Sequence, residues 1–208
     1  MMDPHPSDRS ITVAGPAVVL IALRSLVEGK RRLERVLDRD QRGALIHRMA
    51  DRVMSATHEL PVLVVHEEPE VAQWAHGHAA EAFQPSAPGL NRAVTEGRDL
   101  LAARGVERVI VTHADLPRAQ DLRVMLSDDA LVTIAPDLHR DGTNVMCVST
   151  RIPFEFAYGP GSFDSHVSIA QKLGIEPHIV EAPDLAFDID HPDDLIDFPL
   201  TAAEQDRP

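Results

Sequence analysis

Residues 106–117 read VERVIVTHADLP, and this stretch decides the fold. Val109-Ile110-Val111 is a continuous apolar run that passes into His113 and Asp115 and stops at Pro117, which cannot donate to a strand ladder. Runs of this kind lack the alternation of a half-exposed strand and belong to parallel sheets covered on both faces. Ligands of such sheets sit just beyond the carboxyl ends of the strands. Asp115 is thus a carboxylate at the edge where chemistry is done.

Working outward, Ala17–Leu23 (AVVLIAL) predicts the first central strand and Pro61–Val65 the second. Between them Asp40–Thr57 has helical spacing, with Leu45, Met49, Val53 and Ala56 on one face. Val71–His78 predicts a short helix in which Trp74 packs. His76 and His78 have no third ligand nearby and read as exposed helical histidines. Ser86–Leu100 opens on a Pro-Gly turn and continues as a helix. Beyond Asp115 come a short helix at Leu122–Leu126, a strand at Ala130–Ala135 and a turn-rich Arg140–Asn144. A strand at Val145–Val148, a helix at Asp164–Leu173 and a strand at His178–Val180 follow. Leu185–Ile189 then leads to Asp190, and Pro192 opens a last short helix. This alternation predicts a single α/β domain of Rossmann-like form over residues 16–199, its sheet mostly parallel with helices on both faces. Residues 1–15 read as a flexible leader and 200–208 as a polar tail.

The chain has 208 residues, 44% hydrophobic and 25% charged, which suits one soluble domain with its own core. A formal net charge of −13 argues against a general nucleic-acid-binding surface. Cys147 is the one cysteine, so no internal disulfide forms and a reducing compartment is implied. Lying in an apolar strand, it reads as an inert core thiol. No apolar run approaches the ~20 residues that span a bilayer, and the first ten residues are polar. The expectation is a cytoplasmic protein with no membrane partner. No Gly-x-Ser-x-Gly elbow or Walker-type loop is present, which disfavours serine hydrolases and P-loop NTPases.

Three acids end extended segments: Asp115, Asp188 and Asp190. Asp188 and Asp190, two apart, point to one side of an extended chain, where like charges are costly unless a cation lies between them. Hard oxygen ligands from two segments suit Mg2+, which is usually held by one or two carboxylates and substrate phosphates. Asp190 equally suits the cap of the Pro192 helix. Arg24, Lys30, Arg31 and Arg32 follow the first strand, where a polyphosphate would lie, although a solvated basic patch reads the same way. Tyr158-Gly159-Pro160-Gly161-Ser162 precedes a helix, a setting in which outward N–H groups bind anions or Ser162 or Asp164 simply caps. Gly142-Thr143-Asn144 is either an ordinary turn or a second anion contact through the Thr143 hydroxyl. His113 and His166 are compatible with proton transfer or with buried hydrogen bonding.

Taken together, KRRL (30–33), PGLN (88–91), THADLP (112–117), GTN (142–144), YGPGSF (158–163) with His166, and DIDHPDDL (188–195) resemble the guanylyltransferases of coenzyme F-420 biosynthesis. The likeness runs from about residue 17 to 197. It implies GMP transfer from GTP to phosphoenolpyruvate, giving enolpyruvyl-2-diphospho-5'-guanosine and pyrophosphate, or the same reaction on 2-phospho-L-lactate. It further implies that Asp115, Asp188 and Asp190 hold Mg2+ and that Thr143, Gly159 and Ser162 contact the phosphorylated acid. Lys30 and Arg32 would face the nucleotide phosphates and Asn91 the nucleoside. The product would pass to a deazaflavin-modifying transferase, and a homodimer is left open. One departure stands out: the family's first loop often reads Pro-x-Lys where this chain has Ala22 and Arg24. Arg24 keeps the charge without the point-like geometry of Lys. A sugar-phosphate or molybdopterin-type nucleotidyltransferase is the second enzymatic reading, and a non-catalytic nucleotide-binding protein on this scaffold the third. The YGPGSF and THADLP segments count against the former, and the three aspartates against the latter.

Overall fold

The first strand, β1 (Ala17–Ala22), is buried almost throughout and lies between two parallel neighbours in a computed structural model that describes residues 17–127 and 129–198. The leader and tail expected at 1–15 and 200–208 lie outside the described residues. Those neighbours are β2 (Val62–Val65) and β4 (Arg108–His113), and β3 (Glu81–Phe83) extends the sheet beyond β2. On the other side come β6 (Thr143–Ser149), β5 (Val132–Pro136) and β7 (His178–Ile179). Among the described residues these form one sheet in the order β3-β2-β1-β4-β6-β5-β7. The chain runs from β1 outward to β3 and then returns to β4 on the far side of β1. The point where this order reverses is the place where open α/β sheets bind ligands.

β6 is antiparallel to both β4 and β5, in an otherwise parallel sheet. The cause is local, because the segment between β5 and β6 is far too short for a parallel crossover. Asp137 organises that turn: its carboxylate accepts from the backbone N–H groups of His139 and Asp141 (both 3.0 Å) and of Gly142 (2.8 Å).

Helices α1 (Arg39–Ala56) and α2 (Pro69–Gly77) cover one face of the sheet, and α3 (Leu90–Ala103) and α4 (Ser162–Lys172) the other. Leu45, Met49 and Val53 of α1 pack on Val19, Ile21 and Ile110. Val94 and Leu101 of α3 pack on Val18, Leu20 and Val109. Successive residues of each central strand thus enter different cores, which is why the runs are continuously apolar. Asp38 caps α1 by accepting from the Gln41 N–H at 2.8 Å, while the Gln41 side chain accepts from the Asp38 N–H, so the start falls one residue before the predicted Asp40. The helix expected after the Pro-Gly turn begins at Leu90, with Gly89 at φ 124° as its N-cap. Leu122–Met125 is a 3-10 turn, and the last two helices, α5 (Pro183–Ala186) and α6 (Asp194–Asp197), are short. Cys147 is buried in β6, and burial pushes its thiol up to about 11, as suits an inert thiol. No helix among the described residues is long and apolar enough to cross a membrane.

Candidate active site

Asp115 lies two residues past the end of β4, and the chain after β1 folds back over it. In that return loop the Ser25 hydroxyl accepts from the N–H groups of Val27 (3.1 Å) and Glu28 (2.8 Å). It ends at Lys30, held in the left-handed region at φ 50°, ψ 41°. A non-glycine residue there is uncommon, and such residues concentrate at functional sites. The conformation carries Lys30 Nζ to 2.5 Å from Asp115 Oδ2 and 2.8 Å from Asp190 Oδ1. Arg32 Nη1 sits 3.2 Å from Asp190 Oδ2. Asp190 does not cap the last helix, as one reading allowed. The N-cap of α6 is Asp193, and both oxygens of Asp190 face cations. Asp194 fixes the loop instead, accepting from the backbone N–H groups of Asp190 (2.8 Å) and His191 (2.6 Å).

Asp115, Asp188 and Asp190 each present a carboxylate oxygen, and these atoms lie within 4.8 Å of one another. Burial and the like charges of Asp115 and Asp190 push the Asp188 carboxyl up to about 6, against the opposing pull of Lys30. Burial would also raise Asp115, but Lys30 and His113 hold its carboxyl below the usual range. Burial pulls the Lys30 ammonium down, and the two carboxylates more than offset this and raise it. Three carboxylates facing the Lys30 ammonium and the Arg32 guanidinium still leave an excess of negative charge on hard oxygen donors, and the trio fits a divalent cation such as Mg2+.

The second part of the site is the turn before α4. Gly159 at φ 139° and Gly161 at φ 69° give it a shape that L side chains resist, and no side chain caps the helix that follows. Gly159 is exposed, whereas Thr143 and Ser162 are each 2% exposed beneath the turn. The turn-rich piece predicted at 140–144 ends earlier than expected, since Thr143 and Asn144 already belong to β6. The Thr143 N–H donates to Ser162 Oγ at 3.0 Å, so of the anion contacts expected there the backbone one is already engaged. His166 is fully buried, and its Nε2 accepts from the Ala157 N–H at 2.9 Å. That bond places the ring proton on Nδ1, which donates to Thr143 Oγ1 at 3.0 Å. Tyr158 lies edge-on to both His113 (5.1 Å) and His166 (4.9 Å) between ring centres. The turn therefore adjoins the acidic cluster through His113, two residues before Asp115.

Burial, reinforced by the His113 charge, lowers His166 to about 4. Its folded pKa lies below the unfolded value near 6.5, so unfolding takes up a proton between those limits. Stability from this group is complete above about pH 6.5 and declines as pH falls toward 4. The expected loss between pH 7 and pH 5 is about 2 kcal/mol, and His166→Gln removes that increment. Urea denaturation of both proteins at the two pH values checks it.

The remaining predicted residues bond elsewhere. Arg24 pairs through Nε with Glu67 Oε2 at 2.9 Å. The Asn91 amide, expected at a nucleoside, holds the turn: Nδ2 donates to the Tyr158 carbonyl (3.1 Å) and Oδ1 accepts from the Tyr158 N–H (2.7 Å). Lys30 enters the carboxylate cluster directly, which spacing alone did not disclose. Glu67 escaped the sequence reading, although two acids one residue beyond the apolar end of β2 were its signal.

With this geometry in view, the fold falls in the nucleotidyltransferase class. A nucleotidyl transferase from Methanothermobacter shares it at a TM-score of 0.60 and 16% identity, over 88% of this chain and 95% of that one. A 4-diphosphocytidyl-2C-methyl-D-erythritol synthase from Anaerococcus prevotii does so at 0.56 and 11%, over 86% and 94%. The chain belongs to the family described as "Guanylyl transferase CofC like", which it matches over residues 17–206. Relatives named phosphoenolpyruvate guanylyltransferase include one from Rubrobacter xylanophilus, 32% identical over 91% of this chain and 96% of its own length. Another, from Sphaerobacter thermophilus, is 31% identical over 86% and 90%.

Proposed function

We propose that this enzyme transfers GMP from GTP to phosphoenolpyruvate in coenzyme F-420 biosynthesis, within the cytoplasm. The observation that carries the reading is the acidic trio meeting a glycine-shaped turn at one edge of the sheet, where no side chain caps the helix and the Ser162 and Phe163 N–H groups donate to the Gly159 and Asp141 carbonyls, in a chain of this family. The relatives' name, phosphoenolpyruvate guanylyltransferase, supports this acid as the acceptor. The second pKa of a phosphate monoester is about 6, so the acceptor is already ionised at neutral pH and no general base is needed. A monoester oxygen forms a bond to the α-phosphorus of GTP, the bond to the β-phosphate oxygen breaks, and pyrophosphate leaves with its electron pair. The task left to the protein is to hold two anions in line and neutralise them.

Asp115, Asp188 and Asp190 would hold Mg2+, which when bound supplies charge neutralisation at the transferring phosphate. Lys30 and Arg32 stand where they can pass from carboxylates to phosphates. The turn at Gly159 would receive the acid through backbone N–H groups, with Thr143 and Ser162 shaping it from below and His166 orienting the Thr143 hydroxyl. The test is pyrophosphate release from GTP and Mg2+ with phosphoenolpyruvate or 2-phospho-L-lactate supplied separately. Release with phosphoenolpyruvate and the guanylated product by mass spectrometry are expected. Release with 2-phospho-L-lactate alone would overturn the acceptor, and release with neither would overturn the reading.

A further inference from the structure

A cavity of about 260 Å³ opens beyond the carboxyl ends of β1, β2 and β4, beside the point where the strand order reverses. It is smaller than the 300–1,000 Å³ of a drug-sized ligand pocket, and one heterocycle suits it better than a whole nucleotide. Leu23, Val65, Leu90 and Ala93 give it apolar walls, and Arg24 and Glu67 stand at its polar side. His113 also lines it, two residues from Asp115, so the cavity adjoins the acidic cluster.

The polar side is built by Arg24, whose side chain is 80% exposed, by Glu67 and by His66, whose Nδ1 lies 3.0 Å from the Glu68 carbonyl. Arg24 reaches Glu67 Oε2 through Nε at 2.9 Å, which leaves its Nη groups as donors. Glu67 Oε1 accepts from the Gly89 N–H at 3.1 Å, and Glu67 is only 25% exposed at its side chain. A carboxylate has about four lone-pair sites, so with Arg24 and Gly89 bound about two remain. The pair therefore offers a donor followed by two acceptors. Guanine's pairing edge runs acceptor, donor, donor: O6, N1–H and the exocyclic 2-amino group. Adenine and cytosine begin with a donor and set an acceptor next to it, so neither matches. Uracil matches in its first two positions and places an acceptor against the carboxylate at the third.

We propose that this cavity seats the guanine of the nucleotide, with Glu67 accepting from N1–H and the 2-amino group and Arg24 donating to O6. The inference rests on the reading of GTP as the donor and adds the site and residues that select its base. It also gives a role to the altered first loop: Arg24, bonded to Glu67, serves the base and not the triphosphate. Removing one hydrogen bond to a charged group costs roughly tenfold or more in affinity.

Calorimetric titration with Mg2+, in the absence of any acid, tests it with GTP, ATP and ITP, which lacks only the 2-amino group. The intact enzyme should bind GTP about tenfold or more tighter than ITP, with ATP weaker still. Glu67→Ala and Glu67→Gln should bring GTP and ITP to within about twofold of each other, at an unchanged melting profile. A Glu67 that acted only by tethering Gly89 would weaken both nucleotides by one factor and keep their ratio, and that result would overturn the assignment. Equal binding of GTP and ITP by the intact enzyme would overturn it as well. Binding needs no turnover, so the cavity is judged even if the release assay above is negative.

Discussion

Asp188→Asn should abolish pyrophosphate release, by at least about a thousandfold, while making the metal-free protein more stable. The two effects share one cause. Asp188 sits among Asp115 and Asp190 with a single ammonium to share, and its carboxyl is pushed up to about 6. A folded pKa above the unfolded value means that the folded state binds the proton more tightly. Ionising Asp188 therefore opposes folding. The penalty is absent below about pH 4, grows as pH rises toward 6 and is complete above it. At pH 7 it amounts to about 1–3 kcal/mol, the lower end allowing for partial exposure. An uncharged amide of the same size removes the penalty together with the third anionic donor. Melting in EDTA at pH 7 and pH 4 reads the stability: the variant should gain at pH 7 and match the parent at pH 4. Wild-type turnover by the variant would remove Asp188 from the proposed metal set, and a loss of stability at pH 7 would overturn the charge penalty.

The opposing slopes of Asp188 and His166 explain why the parent alone would be a poor witness. As pH falls from 6 to 4 the first gains stability and the second loses it. Each variant exposes the slope of the other group.

The sheet was legible because its central strands are buried on both faces, so Val109-Ile110-Val111 and Ala17–Ala22 stand out as unbroken apolar runs. β3 was not predicted, since Glu81-Ala82-Phe83 contains no such run and is recognised only by its pairing to β2. The direction of β6 also escaped, because apolar content says nothing of polarity; the short turn held by Asp137 decides it. The acidic trio was legible because strand ends and an Asp-x-Asp spacing fix where a side chain emerges. Lys30 was harder, since its approach depends on a positive φ that nothing in KRRL signals. Asn91 shows the converse: a polar residue at a good address can have both ends of its amide engaged by backbone.

Lys30→Met should lower the stability of the metal-free protein by about 2–3 kcal/mol, a fall in Tm of roughly 5–10 °C for a chain of this size. Its side chain is 11% exposed and its ammonium bridges Asp115 and Asp190. Removing one partner of a buried pair costs about 3–5 kcal/mol, and the partial exposure of both carboxylates reduces that figure. The raised pKa of Lys30 means its contribution is whole below about pH 10, so it is fully present at neutrality. Lys30 already holds Asp115 and Asp190, two of the carboxylates that would hold Mg2+, so it would compete with the ion for them. The variant should therefore bind Mg2+ more tightly than the parent in the absence of nucleotide, and Mg2+ should restore more of its Tm. Turnover should nevertheless fall about a hundredfold or more, because the variant has no ammonium to meet the phosphates. Calorimetric Mg2+ titration beside melting with and without EDTA separates these effects. Weaker Mg2+ binding by Lys30→Met would show that the ammonium supports the metal and does not stand in for it.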